Sequence, residues 1–318
     1  MSEATVTVAI PVLDGGQRLA QTLEAVRGQR VERELELLVA DSGSSDGSRE
    51  RALDAGARVI DVPRGEFSHG GTRNLLAREA AGAHVAFLTQ DATPDGERWL
   101  ARLLEGFELA DDVGLVFGPY LPRPDASPMV RRELESMFAS FAPDGRPRVD
   151  RSGGPAEDRP GEDRRLFFTD ANGCVARSAW DQVPFRAVSY AEDQMLARDL
   201  LAAGWAKAYQ PAAGVVHSHD YPPRQLLRRS FDEARALREV QGHRAHGGPV
   251  TLARVVQRHV RDDLADAGPG RLSLLGRSLA HHAAKAVGAT LGSRADRVPR
   301  PIRRRLSLEG RDGFEPQC

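Results

Sequence analysis

Cysteine is scarce in this sequence, since Cys174 and Cys318 are the only two among 318 residues. Two cysteines this far apart offer neither a disulfide framework nor the spacing of a metal site, which fits a reducing compartment. Runs of about 18 apolar residues are absent too, which argues against a membrane-spanning helix. The amino terminus has no basic segment followed by an apolar stretch and a cleavage site. We therefore expect a cytoplasmic protein that can meet the cell membrane only peripherally, at its inner face.

Charge of one sign is not in excess either, because the formal net charge is -1. This balance gives no reason to expect nucleic acid as a partner. The charge is unevenly distributed along the chain: residues 221–305 carry 18 Lys and Arg against 7 Asp and Glu, a net +11 that leaves -12 for the rest. We expect a domain at 1–220, called the body below, and a basic helical region at 221–318, called the tail. The helices predicted for the tail are 222–240, 250–266 and 272–292.

The first 120 residues alternate short β-branched runs with helical patterns, which indicates an α/β domain with a mostly parallel sheet. The predicted strands are 5–11, 35–40, 58–62, 84–89 and 113–118. The predicted helices are 17–27, 48–55, 70–81 and 95–107. Ligands of such sheets bind at the carboxyl ends of the strands, so the site is expected there.

A stretch at 143–165 is rich in proline, glycine and charge and has no apolar periodicity. It predicts a long mobile loop, of a length typical of functional lids or disordered segments. Beyond it we predict a helix at 191–203. Short strands at 206–209 and 214–217 are expected to complete the same sheet.

Two acidic side chains stand where predicted strands end. Asp41, in LLVADSGSSDGS, can accept the imide N–H of a pyrimidine or a ribose hydroxyl. Asp91, in VAFLTQDATP, can hold a divalent cation that neutralises a diphosphate. Each aspartate taken alone also fits a turn or a helix cap. Their common position at strand ends of one sheet favours a ligand site.

Glu192 and Asp193 begin a predicted helix, where one carboxylate can act as general base toward an attacking hydroxyl. Acids also favour the first turn of a helix because of its dipole, so the pair alone does not decide between the two roles. His217 and His219, in GVVHSHDY, share a face if this segment is a strand, and one or both can join Asp91 at a cation. A surface histidine without a ligand is the alternative.

The segment FSHGGTRN, at 67–74, precedes a predicted helix. Gly70 and Gly71 allow the backbone to approach a phosphate, and Arg73 adds a cation near a helix N-terminus, which itself attracts anions. A simple glycine turn is the alternative interpretation. Arg73 and Asn74 beside the glycines favour a phosphate site.

Over residues 5–220 these motifs together resemble the family 2 glycosyltransferases, which have the GT-A fold. VAIPVLDGG resembles the opening strand and loop of that family, and LLVADSGSSDGS resembles its base-binding segment. GGTRN is similar to its Arg-Asn helix start, and FLTQDA to its metal-binding Asp-x-Asp segment, in which Thr89 replaces the first acid. The resemblance implies donor contacts from Pro11, Asp14, Asp41, Gly71, Arg73, Asn74 and Gln90.

Two later motifs extend the resemblance. AED implies Asp193 as the catalytic base beside Glu192, and VVHSH resembles the histidine segment that follows it. The expected ion is Mg²⁺ or Mn²⁺, held by Asp91 with His217 and His219. SHGGTRN followed by FLTQDA is most similar to bacterial rhamnosyltransferases that use a thymidine diphosphate sugar. The resemblance therefore implies inverting transfer of L-rhamnose to a glycan or polyprenyl-linked acceptor.

Alternatives stay open at this point. The donor sugar can differ, because none of the named residues is expected to contact the sugar hydroxyls. Thr89 is the feature that favours a catalytically silent module that binds nucleotide sugar or glycan. The basic tail allows peripheral membrane contact, packing against the acidic body, or a homodimer interface.

Overall fold

The structure is a computed structural model that describes residues 2–153, 163–188, 190–242, 249–265, 271–308 and 310. Its strands are β1 Ser2–Val12, β2 Glu34–Asp41, β3 Arg58–Asp61, β4 Gly82–Leu88, β5 Thr93–Pro94, β6 Val113–Phe117, β7 Tyr120–Leu121, β8 Arg148–Asp150, β9 Asn172–Ala176, β10 Ala206–Tyr209 and β11 Val215–Val216. Its α-helices are α1 Gly16–Arg27, α2 Ser48–Asp54, α3 His69–Glu79, α4 Trp99–Glu105, α5 Pro128–Ala139, α6 Arg177–Gln182, α7 Glu192–Ala202, α8 Pro223–Gln241, α9 Pro249–Ala265, α10 Arg271–Gly292 and α11 Arg300–Leu306. Short 3₁₀ helices lie at Arg64–Glu66, Gly106–Leu109, Arg164–Leu166 and Ala295–Arg297.

An eight-stranded sheet forms the centre of the body, in the order β3-β2-β1-β4-β9-β6-β10-β8. The strands β3, β2, β1 and β4 are parallel, as are β6 and β10, whereas β9 is antiparallel to both of its neighbours. The predicted α/β class with a mostly parallel sheet is confirmed. Because β9 is inverted, its first residue, Asn172, lies beside Leu88, the last residue of β4.

Burial on both faces of the sheet explains the apolar sequence of β1. Val6, Val8 and Ile10 contact one buried cluster, to which α1 contributes Leu19. Ala9 contacts a second cluster on the opposite face. Successive side chains of a strand point to opposite faces, so a strand covered on both sides is apolar at nearly every position.

The expectation that 214–217 completes the main sheet is wrong. Val215–Val216 forms β11, which lies between β5 and β7 in a separate three-stranded sheet. The position beside β10 in the main sheet is already occupied by β8. The chain also turns directly after β10, where the N–H of Ala213 donates to the carbonyl of Gln210 at 3.1 Å.

The prediction of a structureless loop at 143–165 is wrong in part. Arg148–Asp150 forms β8, antiparallel to β10. Lys207 of β10 is fully buried, and its ammonium lies 3.3 Å from the carboxylate of Asp150. A buried ammonium needs such a partner, and this long-range pairing leaves no local pattern in the sequence. Residues 154–162 of the predicted loop lie outside the described residues.

The three helices predicted for the tail correspond to α8, α9 and α10. α10 packs tightly against α8, because a Cβ on Gly288 would lie 2.3 Å from the carbonyl oxygen of Leu227 and one on Gly292 would lie 2.1 Å from that of Phe231. None of the helices in the described ranges combines the length and the apolar content needed to cross a bilayer. The domain division at residue 220 stays a prediction.

Candidate active site

The Asp91 cluster consists of Asp91, His217 and His219, and it lies just beyond the ends of β4 and β11. His217 Nδ1 lies 3.5 Å from Asp91 Oδ1, and His219 Nε2 lies 3.2 Å from Asp91 Oδ2. The three donor atoms all lie within 4.8 Å of one another. Pairing of β11 with β5 brings both histidines to the loop after β4. The structure thus brings together the three residues that the sequence proposed as metal ligands.

The electrostatics of the Asp91 cluster suit a cation. Burial opposes ionisation of Asp91, but the two histidines and Arg123 hold its pKa below the ordinary value. Burial lowers the pKa of His217 to about 4 although Asp91 acts in the opposite direction, and burial also lowers the pKa of His219. At neutral pH the cluster therefore offers an ionised carboxylate and two neutral imidazoles, a donor set that fits a divalent cation.

Two arginines flank the Asp91 cluster. Arg18 Nη1 and Arg123 Nη2 lie 3.7 Å and 3.8 Å from Asp91 Oδ2. The side chain of Arg123 is only 11% exposed, and within the described residues its Nε has no hydrogen-bond partner. A desolvated guanidinium donor of this kind is available to an anionic ligand such as a diphosphate.

The acid cluster consists of Asp170, Glu192 and Asp193, grouped around the guanidinium of Arg73. Arg73 Nη1 lies 3.1 Å from Glu192 Oε1, and Arg73 Nε forms an ion pair with Asp170. Glu192 and Asp193 begin α7, and the N–H of Gln194 donates to Asp193 Oδ1 at 2.8 Å. The guanidinium of Arg73 therefore faces three carboxyl groups.

Burial and like charge shift the pKa values of Asp170 and Asp193 upward. Desolvation, together with the charges of Asp170 and Glu192, raises the pKa of Asp193 well above its ordinary value. Desolvation raises the pKa of Asp170 to about 7, although Arg73 acts in the opposite direction. A carboxylate with a raised pKa accepts a proton more readily, so Asp193 suits the task of a general base.

Tyr120 lies between the two clusters. Its ring centroid is 4.9 Å from that of His217, and its hydroxyl hydrogen bonds the hydroxyl of Thr169, the neighbour of Asp170. Burial raises the pKa of Tyr120, and the charges of Asp193 and Asp170 add to the shift. The two clusters are therefore parts of one site at the carboxyl edge of the sheet.

Asp170, Tyr120, Arg123 and Arg18 were missed by sequence reasoning. Asp170 precedes a strand, whereas Asp41 and Asp91 follow one. Because β9 is antiparallel to β4 and β6, its beginning lies at the edge where the parallel strands end. The sequence shows only an aspartate before the apolar run of β9. That position predicts a site residue only if β9 is known to be antiparallel to its neighbours.

Asp41 ends β2 and is 2% exposed. Its Oδ2 accepts the N–H groups of Gly43 and Ser44 at 3.1 and 3.0 Å, and its Oδ1 accepts the hydroxyl of Ser44 at 2.5 Å. These bonds shape the turn after β2. Pro11 lies beside Ala40 in the sheet. A contact of Asp41 or Pro11 with a nucleotide stays a prediction.

Gln90 and Asp14 hold the loop after β1. Gln90 accepts the N–H of Leu13 at 2.8 Å and donates to the carbonyl of Leu13 at 3.1 Å. Asp14 has a positive φ of 48° and accepts the N–H of Ser45 at 2.7 Å, which joins this loop to the loop after β2. Both side chains thus shape the loops in which donor binding is predicted.

The GGTRN segment is engaged by protein contacts. A Cβ on Gly71 would lie 2.4 Å from the hydroxyl of Ser68, the residue that caps α3. Arg73 is 3% exposed within the acid cluster. Asn74 accepts the indole N–H of Trp180 at 2.8 Å and donates to a backbone carbonyl at 2.8 Å. The predicted donor contacts of these residues stay predictions.

The sequence was compared with protein families and with characterised proteins. The model of glycosyl transferase family 2 matches residues 7–172. The O-antigen chain rhamnosyltransferase RfbN of Salmonella typhimurium is 30% identical over 233 residues, which cover 71% of this chain and 70% of that protein. The O-antigen chain rhamnosyltransferase WbaN of Salmonella anatum is 31% identical over 201 residues, which cover 62% of this chain and 61% of that protein.

Solved structures resemble the fold. A mannosyltransferase from Pyrobaculum calidifontis, in complex with GDP-Man and Mn²⁺, has a TM-score of 0.56 at 15% identity and covers 92% of this chain and 87% of its own. TarS from S. aureus, in complex with UDP-GlcNAc, has a TM-score of 0.52 at 11% identity and covers 95% of this chain and 78% of its own. At these identities the likeness concerns the fold alone, and the predicted GT-A fold is confirmed.

Proposed function

The chain belongs to glycosyl transferase family 2, and we propose that it moves L-rhamnose from a thymidine diphosphate donor to a hydroxyl of a glycan or lipid-linked acceptor. Similarity to the two Salmonella rhamnosyltransferases supports this choice of sugar. The observation that carries the proposal is that Tyr120 links the Asp91 cluster to the acid cluster at one edge of the sheet.

The proposed reaction inverts the anomeric carbon in one displacement. The acceptor oxygen bonds to the anomeric carbon while the bond to the diphosphate breaks, and Asp193 takes the acceptor proton. Desolvation raises the pKa of Asp193 and so favours this transfer. The ion pair of Glu192 with Arg73 fixes the start of α7 and thereby positions Asp193.

Charge on the leaving diphosphate is neutralised in two ways in this proposal. Asp91, His217 and His219 would hold Mg²⁺ or Mn²⁺, which stabilises the negative charge of a leaving diphosphate. Arg123 and Arg18 add positive charge beside the same carboxylate. The Mn²⁺ complex of the Pyrobaculum mannosyltransferase supports an ion of this kind.

The acceptor is proposed to bind in a groove beside the Asp91 cluster. The groove has a volume of about 560 Å³, and its lining includes Asp125, Ser127, Asp220, Tyr221, Arg277 and His281. Tyr221 stacks on His219 with ring centroids 5.4 Å apart, so one end of the groove adjoins the cluster. An aromatic face among a few polar groups is a typical small-molecule surface.

An apolar stripe on α10 supports peripheral membrane contact. Leu272, Leu275 and Leu279 are 85%, 39% and 51% exposed, and their spacing puts them on one face of the helix. Arg271 and Arg277 of the same helix are also exposed. Exposed leucines beside arginines are typical of helices that lie in a membrane surface, where a polyprenyl-linked acceptor would be found.

The donor is tested by incubating the protein with a panel of nucleotide sugars, with and without Mn²⁺, and measuring the released nucleotide diphosphate. We expect the fastest release from thymidine diphosphate rhamnose. Faster release from another sugar would overturn the choice of donor. Binding of a nucleotide sugar without any release, with glycan and lipid-linked acceptors present, would instead identify a silent binding module.

A further inference from the structure

A second group of histidines and carboxylates lies where the tail meets the body. Glu133 lies on α5, whereas His281 and His282 are adjacent residues of α10. Asp263, on α9, contacts His282. We call these four residues the tail histidine cluster. Both histidines and Asp263 are buried, and Glu133 is half-buried. None of the four belongs to the Asp91 cluster or to the acid cluster.

The donor atoms of this cluster have the spacing of metal ligands. Glu133 Oε1 lies 3.3 Å from His281 Nε2 and 3.5 Å from His282 Nδ1. All three atoms lie within 4.8 Å of one another. Ligands at 2.0–2.2 Å from a tetrahedral zinc ion are about 3.4 Å apart. Two of the three separations therefore match those around such an ion.

The hydrogen bonds of His282 fix which of its nitrogens is free. His282 Nε2 lies 2.7 Å from Asp263 Oδ2. Asp263 can only accept here, because Ser278 and Arg132 also donate to it, each at 2.6 Å. His282 therefore donates through Nε2, and its neutral ring carries a lone pair on Nδ1. That lone pair would face a carboxylate oxygen of Glu133 3.5 Å away, an arrangement that a cation between the two atoms would stabilise.

Positive side chains bind this cluster at other atoms. Lys285 Nζ lies 2.7 Å from Glu133 Oε2, which leaves Oε1 toward the histidines. Arg132 Nε forms an ion pair with Asp263 Oδ1, whereas His282 contacts the other oxygen, Oδ2. These two cations balance the charges of the two carboxylates. The donors left for an ion are two imidazole nitrogens and one carboxylate oxygen, a set that suits Zn²⁺.

We propose that Zn²⁺ binds between Glu133 Oε1, His281 Nε2 and His282 Nδ1, with water as the fourth ligand. Asp263 is a positioning residue, since its hydrogen bond fixes the ring and tautomer of His282. Because Glu133 belongs to the body and the histidines belong to the tail, the ion links the two parts of the chain. Its role is structural and separate from that of the ion at Asp91.

The test uses the full chain carrying Asp91→Ala, which removes the carboxylate ligand from the Asp91 cluster. After treatment with a chelator and dialysis, the protein is titrated with Zn²⁺ alone by calorimetry. We expect one equivalent to bind. Glu133→Gln and His281→Gln should each weaken this binding more than ~100-fold, beyond the range usual for loss of an outer-shell partner. His259→Gln is the matched control, because the ring of His259 stacks on that of His282 with centroids 4.9 Å apart but is not a proposed ligand. This variant should bind Zn²⁺ as tightly as the parent.

Thermal unfolding supplies a second measurement. Zn²⁺ should raise the unfolding midpoint of the Asp91→Ala protein and of the His259→Gln control, but not that of Glu133→Gln. Glu133→Gln keeps the size of the side chain. A circular dichroism spectrum equal to that of the parent would show that this variant folds. His281→Gln is a second ligand variant, so the test does not depend on one substitution. The proposal would be overturned if the Asp91→Ala protein bound no zinc, or if both ligand variants bound zinc as tightly as the Asp91→Ala protein does.

Discussion

Asp193 is the residue on which the proposed proton transfer depends. Asp193→Asn keeps the shape of the side chain but removes the base, so turnover should fall roughly 10²-fold or more while donor binding stays nearly unchanged. Asp199→Asn is the control, because Asp199 lies on the same helix and pairs with Arg198 at 3.1 Å. Steady-state kinetics and donor titration check both variants. Near-normal turnover in Asp193→Asn would remove this residue from the mechanism.

The acid cluster also predicts a dependence on pH. Burial and the charges of Asp170 and Glu192 raise the pKa of Asp193, so the base is protonated at low pH and kcat/KM should rise with pH as it ionises. Asp170→Asn removes one of these charges and should move the midpoint of the rise to lower pH. The pH profile of kcat/KM, measured for both proteins, checks this. An unmoved midpoint would assign the titration to a different group.

Metal dependence is tested at Asp91. Asp91→Ala and treatment of the parent with a chelator should reduce donor binding and turnover to a similar extent, because each removes the ion. Added Mn²⁺ should restore only the chelated parent. Asp95→Ala, which removes an exposed aspartate just after β5, is the control. If the chelator has no effect, neutralisation of the diphosphate falls to Arg18 and Arg123.

The predictable parts of the site are the residues that follow strands and the acidic pair at the start of a helix, Glu192 and Asp193. Asp91 and His217 could be found because each stands just beyond an apolar run, where open α/β sheets bind ligands. Arg73 shows the limit of such reasoning. Its position near a helix start predicts a phosphate contact, which stays a prediction, but it did not reveal the ion pairs with Asp170 and Glu192, which lie about a hundred residues further along the chain. A local pattern contains no information about partners at that distance.

Among the elements, hydrophobic periodicity succeeded where a strand or helix is long. The predicted strands 5–11 and 35–40 lie inside β1 and β2, and the three long tail helices were found within two residues of their observed bounds. The strands β5 and β7 have two residues each, so no alternation can show in their sequence, whereas β11, equally short, lies inside the predicted strand 214–217. They exist because their neighbours supply hydrogen-bond partners.

The crossing of α8 and α10 gives a prediction about stability. A Cβ on Gly292 would lie 2.1 Å from the carbonyl oxygen of Phe231, so Gly292→Ala must push the two helices apart. We expect a loss of about 1–3 kcal/mol in the free energy of unfolding, the usual cost of overpacking. Gly276→Ala is a control on the same helix, where an added Cβ meets no atom within 4 Å. The Gly276→Ala variant should be as stable as the parent or more stable by up to about 1 kcal/mol. Urea titration of both variants measures these free energies of unfolding. Equal effects of the two substitutions would contradict the tight crossing.

For the whole molecule, the question is what the charge of the tail does. Some of it is used in packing, since Lys285 pairs with Glu133 of the body at 2.7 Å and Arg238 forms an ion pair with Asp296 within the tail. Other arginines of the tail, such as Arg254 on α9, are exposed. Packing against the acidic body therefore involves only part of the net charge of +11 on the tail. The exposed arginines can contact an anionic surface.

Vesicle sedimentation tests whether that surface is a membrane. Each arginine near an anionic leaflet contributes on the order of 1 kcal/mol, so the protein should sediment with anionic vesicles at low salt, and neither with neutral vesicles nor at high salt. Replacing Leu272, Leu275 and Leu279 with serine should reduce the bound fraction, because it removes the apolar stripe. A matched control replaces Leu53 and Leu109 of the body, which are 46% and 42% exposed, and it should bind like the parent.

If the parent stays in the supernatant at low salt, membrane contact is excluded. The stripe is then expected to join two copies of the chain, and sedimentation equilibrium should show a dimer that the leucine-to-serine variant cannot form.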